Sequence, residues 1–389
     1  MTAASLPQSK EYTNSANEAE TGSRSVIDKR TIFSRQTFEA SPRRNLHISR
    51  FEYTAVMSAP SAAPTPCKVM LSKHVATHLL SEVEEGLKTL EKPPHLVGFL
   101  ANDDPAALVY AQMTQKTCEE NGFKYSLREV SRDDIEDAIL AANTDNDVDG
   151  IIVYYPIFNN RQDQYLQQIV DMTKDVEGLS HKYIFNMYQN VRFLDGEAKR
   201  QKSILPCTPL ANIKILEYLN IYNTILPYGN RLFGHTICVV NRSEVVGRPL
   251  AALLANDGAC VYSVDVTGVQ KFTRGEGLQK KQHDVIDLEG KTIKDVVPLC
   301  DVVITGVPGD KYKFDTSLLR EGAVCVNFSS EKNFPHEVRE KASLFVPSIG
   351  KVTIVVLLRN LLRLIQNKRM DDVKPAEATE RPGTLEAIS

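Results

Sequence analysis

Apolar residues along the chain fall into two series of short blocks, separated by stretches in which they recur every three or four positions. In the first series HLVGFLA (95–101), FKYSLREV (123–130) and DGIIVYYP (149–156) read as strands, the last one stopped by its proline. Residues 74–90, 105–121 and 133–142 carry helical spacing. Asp103 or Asp104 can cap the second of these helices, with Pro105 at its first position. A second series holds HTICVV (235–240), a helix near 248–256, ACVYSVDV (259–266), DVVITG (301–306) and AVCVNF (323–328). KSILPCTPLANIKILEYLN (202–220) joins the two, with Pro206 and Pro209 leading into a helix. Strand–helix alternation of this length predicts an α/β fold with mostly parallel sheets. Two α/β lobes with a linking helix flank a cleft, where ligands bind. Near the end, IVVLLRNLLRLI (354–365) carries Arg359 and Arg363 at helical spacing and reads as a packed amphipathic helix.

Composition narrows the classes. At 389 residues, with 49 acidic and 46 basic side chains, the formal charge is −3, and Trp is absent. Without a basic excess or a base-stacking platform, no nucleic-acid partner is expected. No apolar run reaches the roughly 18–20 residues of a membrane helix. The seven cysteines include no C-x-x-C pair and the eight histidines are scattered, so reduced thiols and no metal site are expected.

The second series opens with ICVVNRSEVVGRPLAALLANDGACVYSVDV. A strand runs into the polar turn Asn241-Arg242-Ser243, Gly247 and Pro249 open a helix, and the next strand ends at Asp265. That order suits a dinucleotide: the turn and helix N-terminus meet the pyrophosphate and the acid takes the ribose hydroxyls. The glycine fingerprint is replaced by N-R-S-E-V-V-G, so the motif alone is weak, and Asp265 can also be read as a solvated turn aspartate. A carboxylate there repels a 2′-phosphate and favours NAD over NADP. Gly306-Val307 and Asn327-Phe328-Ser329 lie at other strand ends of the same lobe, placed to meet the nicotinamide half.

GFLANDDPAALVYAQMTQKTCEENGF, DGIIVYYPIF, KDVEGL, ILPCTPL, VVNRSEVVGRPLAALL, DVVITGVPG and VPSIGKVT follow one another in order. Together they resemble the motifs of the methylenetetrahydrofolate dehydrogenase/cyclohydrolase family, over roughly residues 67–367. Within it the chain looks most similar to the monofunctional, NAD-dependent fungal branch. The resemblance implies NAD-dependent oxidation of 5,10-methylenetetrahydrofolate in one-carbon metabolism and purine biosynthesis, by a homodimer. It also implies a folate pocket shaped by Tyr110, Tyr154 and Glu177, and a cofactor held by Asn241, Arg242, Ser243, Asp265, Val266, Gly306 and Val307. The implied lobes are 57–208, completed by the helix 351–367, and 209–350, between polar ends at 1–56 and 368–389.

The chain departs from the bifunctional pattern. The family pairs Tyr with Lys at Y-x-x-x-K, supports them with a Gln, and carries K-D-V-D-G. By position the Tyr is Tyr110, the Lys is Thr114, the Gln is Tyr154 and the Asp is Glu177. On a helix Lys116 faces almost the opposite way from Tyr110. Loss of the amine and its amide implies loss of the cyclohydrolase step, which moves protons to and from water. Hydride transfer does not need them. Lys351, where the family has a proline, is a candidate substitute cation near the folate, or a helix-start lysine facing water. Cys207 resembles a position assigned a function in the monofunctional enzymes, but a catalytic role needs a lowered pKa or a specific contact; otherwise it is a packed small residue. Two other readings stay open: a bifunctional enzyme using a substitute lysine, and a non-catalytic NAD- or folate-binding regulator. Seven Lys/Arg between Arg24 and Arg50 suit a mitochondrial transit peptide, but Glu11, Glu18 and Glu20 precede them, and Met57 can serve as an initiator. A cytoplasmic location is expected.

Overall fold

The structure, a computed structural model, describes residues 66–372; the expectations for residues 1–56 and for most of the C-terminal tail lie outside them. Chain order is β1 (Lys68–Val69), α1 (Ser72–Leu87), β2 (His95–Leu100), α2 (Pro105–Glu120), β3 (Lys124–Glu129), α3 (Ile135–Thr144), β4 (Gly150–Val153), α4 (Arg161–Ile169), α5 (His181–Tyr188) and α6 (Cys207–Tyr218). It continues with β5 (Thr236–Val240), α7 (Gly247–Asn256), β6 (Cys260–Asp265), β7 (Gly268–Thr273), β8 (Asp284–Asp287), α8 (Ile293–Val296), β9 (Val302–Thr305), β10 (Val324–Asn327), α9 (Val338–Lys341), β11 (Leu344–Val346) and α10 (Gly350–Asp372).

Two sheets follow from the two apolar series. The smaller is parallel, in the order β3-β2-β4, with β2 and β4 buried throughout. The larger has the order β1-β11-β10-β9-β5-β6-β7-β8. Its β9 and β10 are buried along their whole length, as continuous apolar runs in parallel sheets require. Only the β6–β7 and β7–β8 pairs are antiparallel. Strands β7 and β8 escape the strand–helix reading because their residues are mixed in polarity and the two-residue turn from β6 into β7, Val266-Thr267, lacks an Asn-Gly or Asp-Gly signal. A second difference concerns Lys68–Val69: expected with the first lobe, it pairs with β11 in the larger sheet.

Helix α10 returns the chain to the smaller sheet. It packs on α1, α6 and α2, and residues 352–358 are all buried. Arg359 emerges at its edge to pair with Glu82 of α1 at 3.0 Å. In its middle the buried Asn360 donates through Nδ2 to the carbonyls of Val176 at 2.9 Å and Leu205 at 3.0 Å. One carboxamide therefore joins α10, the turn between α4 and α5, and the segment that enters α6.

Asn360→Ala is expected to lower stability by about 1–3 kcal/mol, since the Leu205 carbonyl loses this donor and the Val176 carbonyl keeps only the weak Cys207 thiol. Urea denaturation checks this; an unchanged midpoint would remove the residue from the scaffold's supports.

Candidate functional site

Helix α2 starts as its sequence requires, with the Asp104 side chain accepting from the Ala106 N–H at 2.9 Å and Pro105 at the first position. Its buried face runs Ala107, Ala111, Thr114 and Cys118. Thr114 is wholly inaccessible, and its hydroxyl donates back to the Tyr110 carbonyl at 2.9 Å. Lys116 points elsewhere, exposed and 3.8 Å from Glu120. In place of an ammonium the helix meets aromatic rings. Tyr110 and Tyr154 lie edge to face with centroids 6.0 Å apart. The Tyr154 hydroxyl shares a 2.8 Å hydrogen bond with that of Tyr125, a residue that no motif singles out. Gly98 makes room for this pair: a Cβ there would lie 2.4 Å from the Tyr125 hydroxyl and 3.0 Å from the Tyr154 ring.

Burial keeps all three phenols neutral. It raises Tyr110 and Tyr154 well above the usual value and pushes Tyr125 up to about 12. Nearby Cys207 and Glu177 raise Tyr110 further, so these side chains sit within one electrostatic neighbourhood. Glu177 is half-buried, and its Oε2 accepts from the Val153 N–H at 3.2 Å. Desolvation, with the nearby Asp175 adding to it, lifts its carboxyl to about 8. Asp175 itself is buried and accepts from the Gly178 and Ser180 N–H groups, which shapes the turn that presents Glu177.

Cys207 opens α6 at the floor of this neighbourhood. Its thiol donates to the Val176 carbonyl at 3.3 Å, and Asn360 Nδ2 lies 3.5 Å from its sulfur. The lowered pKa that a thiolate nucleophile needs is not met: burial, then Glu177 and Asp175, push the thiol well above its usual value. A specific contact is present, and it is that of a neutral thiol. Lys351 is exposed in the first turn of α10, with no hydrogen bond or ion pair of its side chain among the described residues.

In the larger sheet the polar turn after β5 is closed by two glycine contacts. Asn241 adopts φ 89°, and its Nδ2 donates to the Gly306 carbonyl at 2.6 Å. A Cβ on Gly247 would fall 1.7 Å from the Asn241 carbonyl oxygen, so only glycine lets α7 start against this turn. Gly306 is equally constrained, because a Cβ would lie 1.8 Å from the Phe328 ring. Ser243 stays in the turn, its hydroxyl accepting from the Gly247 N–H at 3.3 Å. Asp265 ends β6 and accepts from the Arg242 N–H at 2.6 Å and the Val266 N–H at 2.7 Å. The Arg242 guanidinium is tied to the carbonyls of Ser263 and Gly268. Val266 is fully exposed beside it, and Val307 is fixed at the end of β9 by Asn333.

These residues fit a dinucleotide without a 2′-phosphate. The turn and the start of α7 face the carboxyl ends of β5 and β6, the carboxylate stands at the second strand end, and the nearest arginine is already engaged by carbonyls. The signals missed in sequence were those of Gly98, Tyr125, Asn333 and Asn360, whose roles arise from neighbours distant along the chain.

Residues 70–177 match the family described as tetrahydrofolate dehydrogenase/cyclohydrolase, catalytic domain. A Schizosaccharomyces pombe protein named methylenetetrahydrofolate dehydrogenase, NAD(+), is 59% identical over 309 residues, which cover 78% of this chain and 96% of the relative. Its Saccharomyces cerevisiae namesake is 57% identical over 319 residues, covering 79% and 99%. The solved structure of the NAD-dependent 5,10-methylenetetrahydrofolate dehydrogenase from S. cerevisiae superposes with a TM-score of 0.76 at 55% identity, covering 79% of this chain and all 100% of that one.

Folding raises the Glu177 carboxyl from 4.5 to about 8, so between these values the folded chain holds a proton that the unfolded chain has released. Its contribution therefore falls as pH rises through this window, and above it the desolvated carboxylate costs a few kcal/mol, on the order of one per pH unit crossed. Glu177→Gln is expected to flatten the fall and to melt above the wild type beyond this window. Thermal melts across the range test it; parallel curves for the two proteins would show that burial is not what sets this proton.

Proposed function

We infer the activity from one premise: the chain belongs to the tetrahydrofolate dehydrogenase/cyclohydrolase family. It is an enzyme that oxidises 5,10-methylenetetrahydrofolate to the 5,10-methenyl form with NAD⁺. Bound NAD⁺ supplies the hydride acceptor. What the chain contributes is placement. The Asn241–Ser243 turn, Asp265 and Gly306-Val307 hold and aim the cofactor, while Tyr110, Tyr154 and Glu177 line the folate pocket. The methylene carbon loses a hydride and the adjacent nitrogen takes up the positive charge, so no side chain has to move a proton. A pocket of neutral phenols with a single carboxyl suits that reaction, the carboxyl being able to meet the donor edge of the pterin.

The same pocket lacks the means to hydrolyse the methenyl product. The observation that carries this reading is Thr114, fully buried, with its hydroxyl bonded to the Tyr110 carbonyl where the bifunctional pattern has an amine. No lysine among the described residues is hydrogen-bonded to Tyr110, Tyr154 or Glu177. We read the enzyme as a dehydrogenase without cyclohydrolase activity, feeding one-carbon units to purine biosynthesis. A homodimer is supported by the exposed edge strand β8, which presents Val285 and Ile286. Seven unpaired cysteines support a reducing compartment, read as the cytoplasm.

One assay tests the activity. With methylenetetrahydrofolate and NAD⁺, NADH and the methenyl absorbance should rise together and the methenyl signal persist beyond its uncatalysed decay. Enzyme-dependent decay would reveal a cyclohydrolase working through a substitute such as Lys351, and absence of NADH a binding protein. Asp265→Ser is expected to cut kcat/KM for NAD⁺ about tenfold or more while raising use of NADP⁺, since the repulsion of a 2′-phosphate is gone. Unchanged preference in steady-state kinetics would dismiss Asp265 as the selector.

A further inference from the structure

A cavity of about 450 Å³ opens between α5, α6, α10 and the segments that flank α6. It is separate from the folate pocket, since none of Tyr110, Tyr154 and Glu177 lines it. Its walls carry six cations, Arg192, Lys202, Lys214, Arg231, Arg359 and Arg363, against two acids, Glu217 and Asp257.

Both acids are already committed. Asp257 accepts from Arg192 at 2.6 Å through one oxygen and from the Tyr222 hydroxyl at 3.0 Å through the other. Glu217 is 2.6 Å from Lys214. Arg359 is matched by Glu82, which lies outside the lining. Lys202, Arg231 and Arg363 are left with no ion pair among the described residues. Counting Glu82, six positive and three negative charges leave a net +3 around one cavity. Arg231 Nε is buried without a hydrogen-bond partner. Desolvation and mutual repulsion both act on these cations: the Lys202 ammonium is disfavoured by desolvation and then by Arg363, Arg359 and Lys214, and Arg363 by desolvation and then by Arg359. A protein that gathers unmatched cations around one cavity bears a cost that an anion would relieve.

We propose that this cavity is a binding site for a small, multiply charged anion, a phosphate-bearing or polycarboxylate molecule gripped by Lys202, Arg231 and Arg363. Arginine forks and a lysine are the donors such groups select. Asn360 lines the cavity and also holds Val176 and Leu205, so an occupant stands one side chain away from the turn that carries Glu177. The site is independent of the catalytic reading above.

Isothermal titration of the full-length protein tests it, with NAD⁺ saturating so that the cofactor's own anion-binding turn is filled. Pyrophosphate and citrate are titrated separately into wild type, Lys202→Ala and Arg363→Gln. Saturable binding of either probe, weakened about tenfold or more in both variants, is the expected result, and the tighter probe identifies the source chemistry. Absence of saturable binding by both probes overturns the proposal, as does equal affinity in all three proteins. Lys202 is exposed, so its variant decides the matter should Arg363→Gln fail to fold.

Discussion

The carboxamide of Asn360 is the point at which three remote stretches of chain are held together. From the buried middle of α10 it donates to the carbonyls of Val176 and Leu205, and it lies against the sulfur of Cys207. The first carbonyl belongs to the turn that presents Glu177, and the second to the entry of α6. Apolar packing brings α10 onto α1 and α6, but packing alone is non-directional. The two hydrogen bonds fix where the helix stops sliding, and with it where Glu177 and Cys207 stand relative to Tyr110.

Enclosure then decides the chemistry. Every titratable group in the proposed folate pocket is driven toward its neutral form by burial: the phenols of Tyr110, Tyr154 and Tyr125, the thiol of Cys207 and the carboxyl of Glu177. Such a pocket is poor at moving protons to and from water. It is well suited to a hydride transfer whose charge develops on the substrate. The buried threonine on α2 belongs with this environment, because an ammonium in its place would need a partner that the surrounding tyrosines do not provide.

The cofactor side rests on close approach rather than on charge. Gly247 against the Asn241 carbonyl and Gly306 beneath the Phe328 ring leave no room for a Cβ, and both contacts bring strand ends together with the start of α7. Asp265 is oriented by two backbone N–H groups before any ligand arrives. The departure from the usual glycine spacing is thus a local rearrangement, with Asn241 taking the left-handed conformation that a glycine would otherwise supply.

Much of this is written in local pattern. Buried runs such as HLVGFLA and DVVITG can only be strands covered on both faces, and the Asp104-Pro105 start of α2 is a matter of capping. The absence of a lysine four residues after Tyr110 follows from counting along a helix. Other features depend on residues far apart in sequence, and local pattern carries no trace of them. The β6–β7 hairpin lacks a turn signal, and β1 finds its partner in β11, more than 250 residues later. Cys207 offers two readings in sequence, and only the fold shows the burial and acidic neighbours that push its thiol up. Tyr125 and Gly98 matter only because β2 and β3 lie side by side. Hydrophobic period and helix geometry act over a few residues, so the sequence by itself determined the elements and the missing cation. Desolvation and hydrogen-bond partnership act across the fold, so the protonation of the pocket, the role of Asn360 and the cationic cavity were decided only by the tertiary structure.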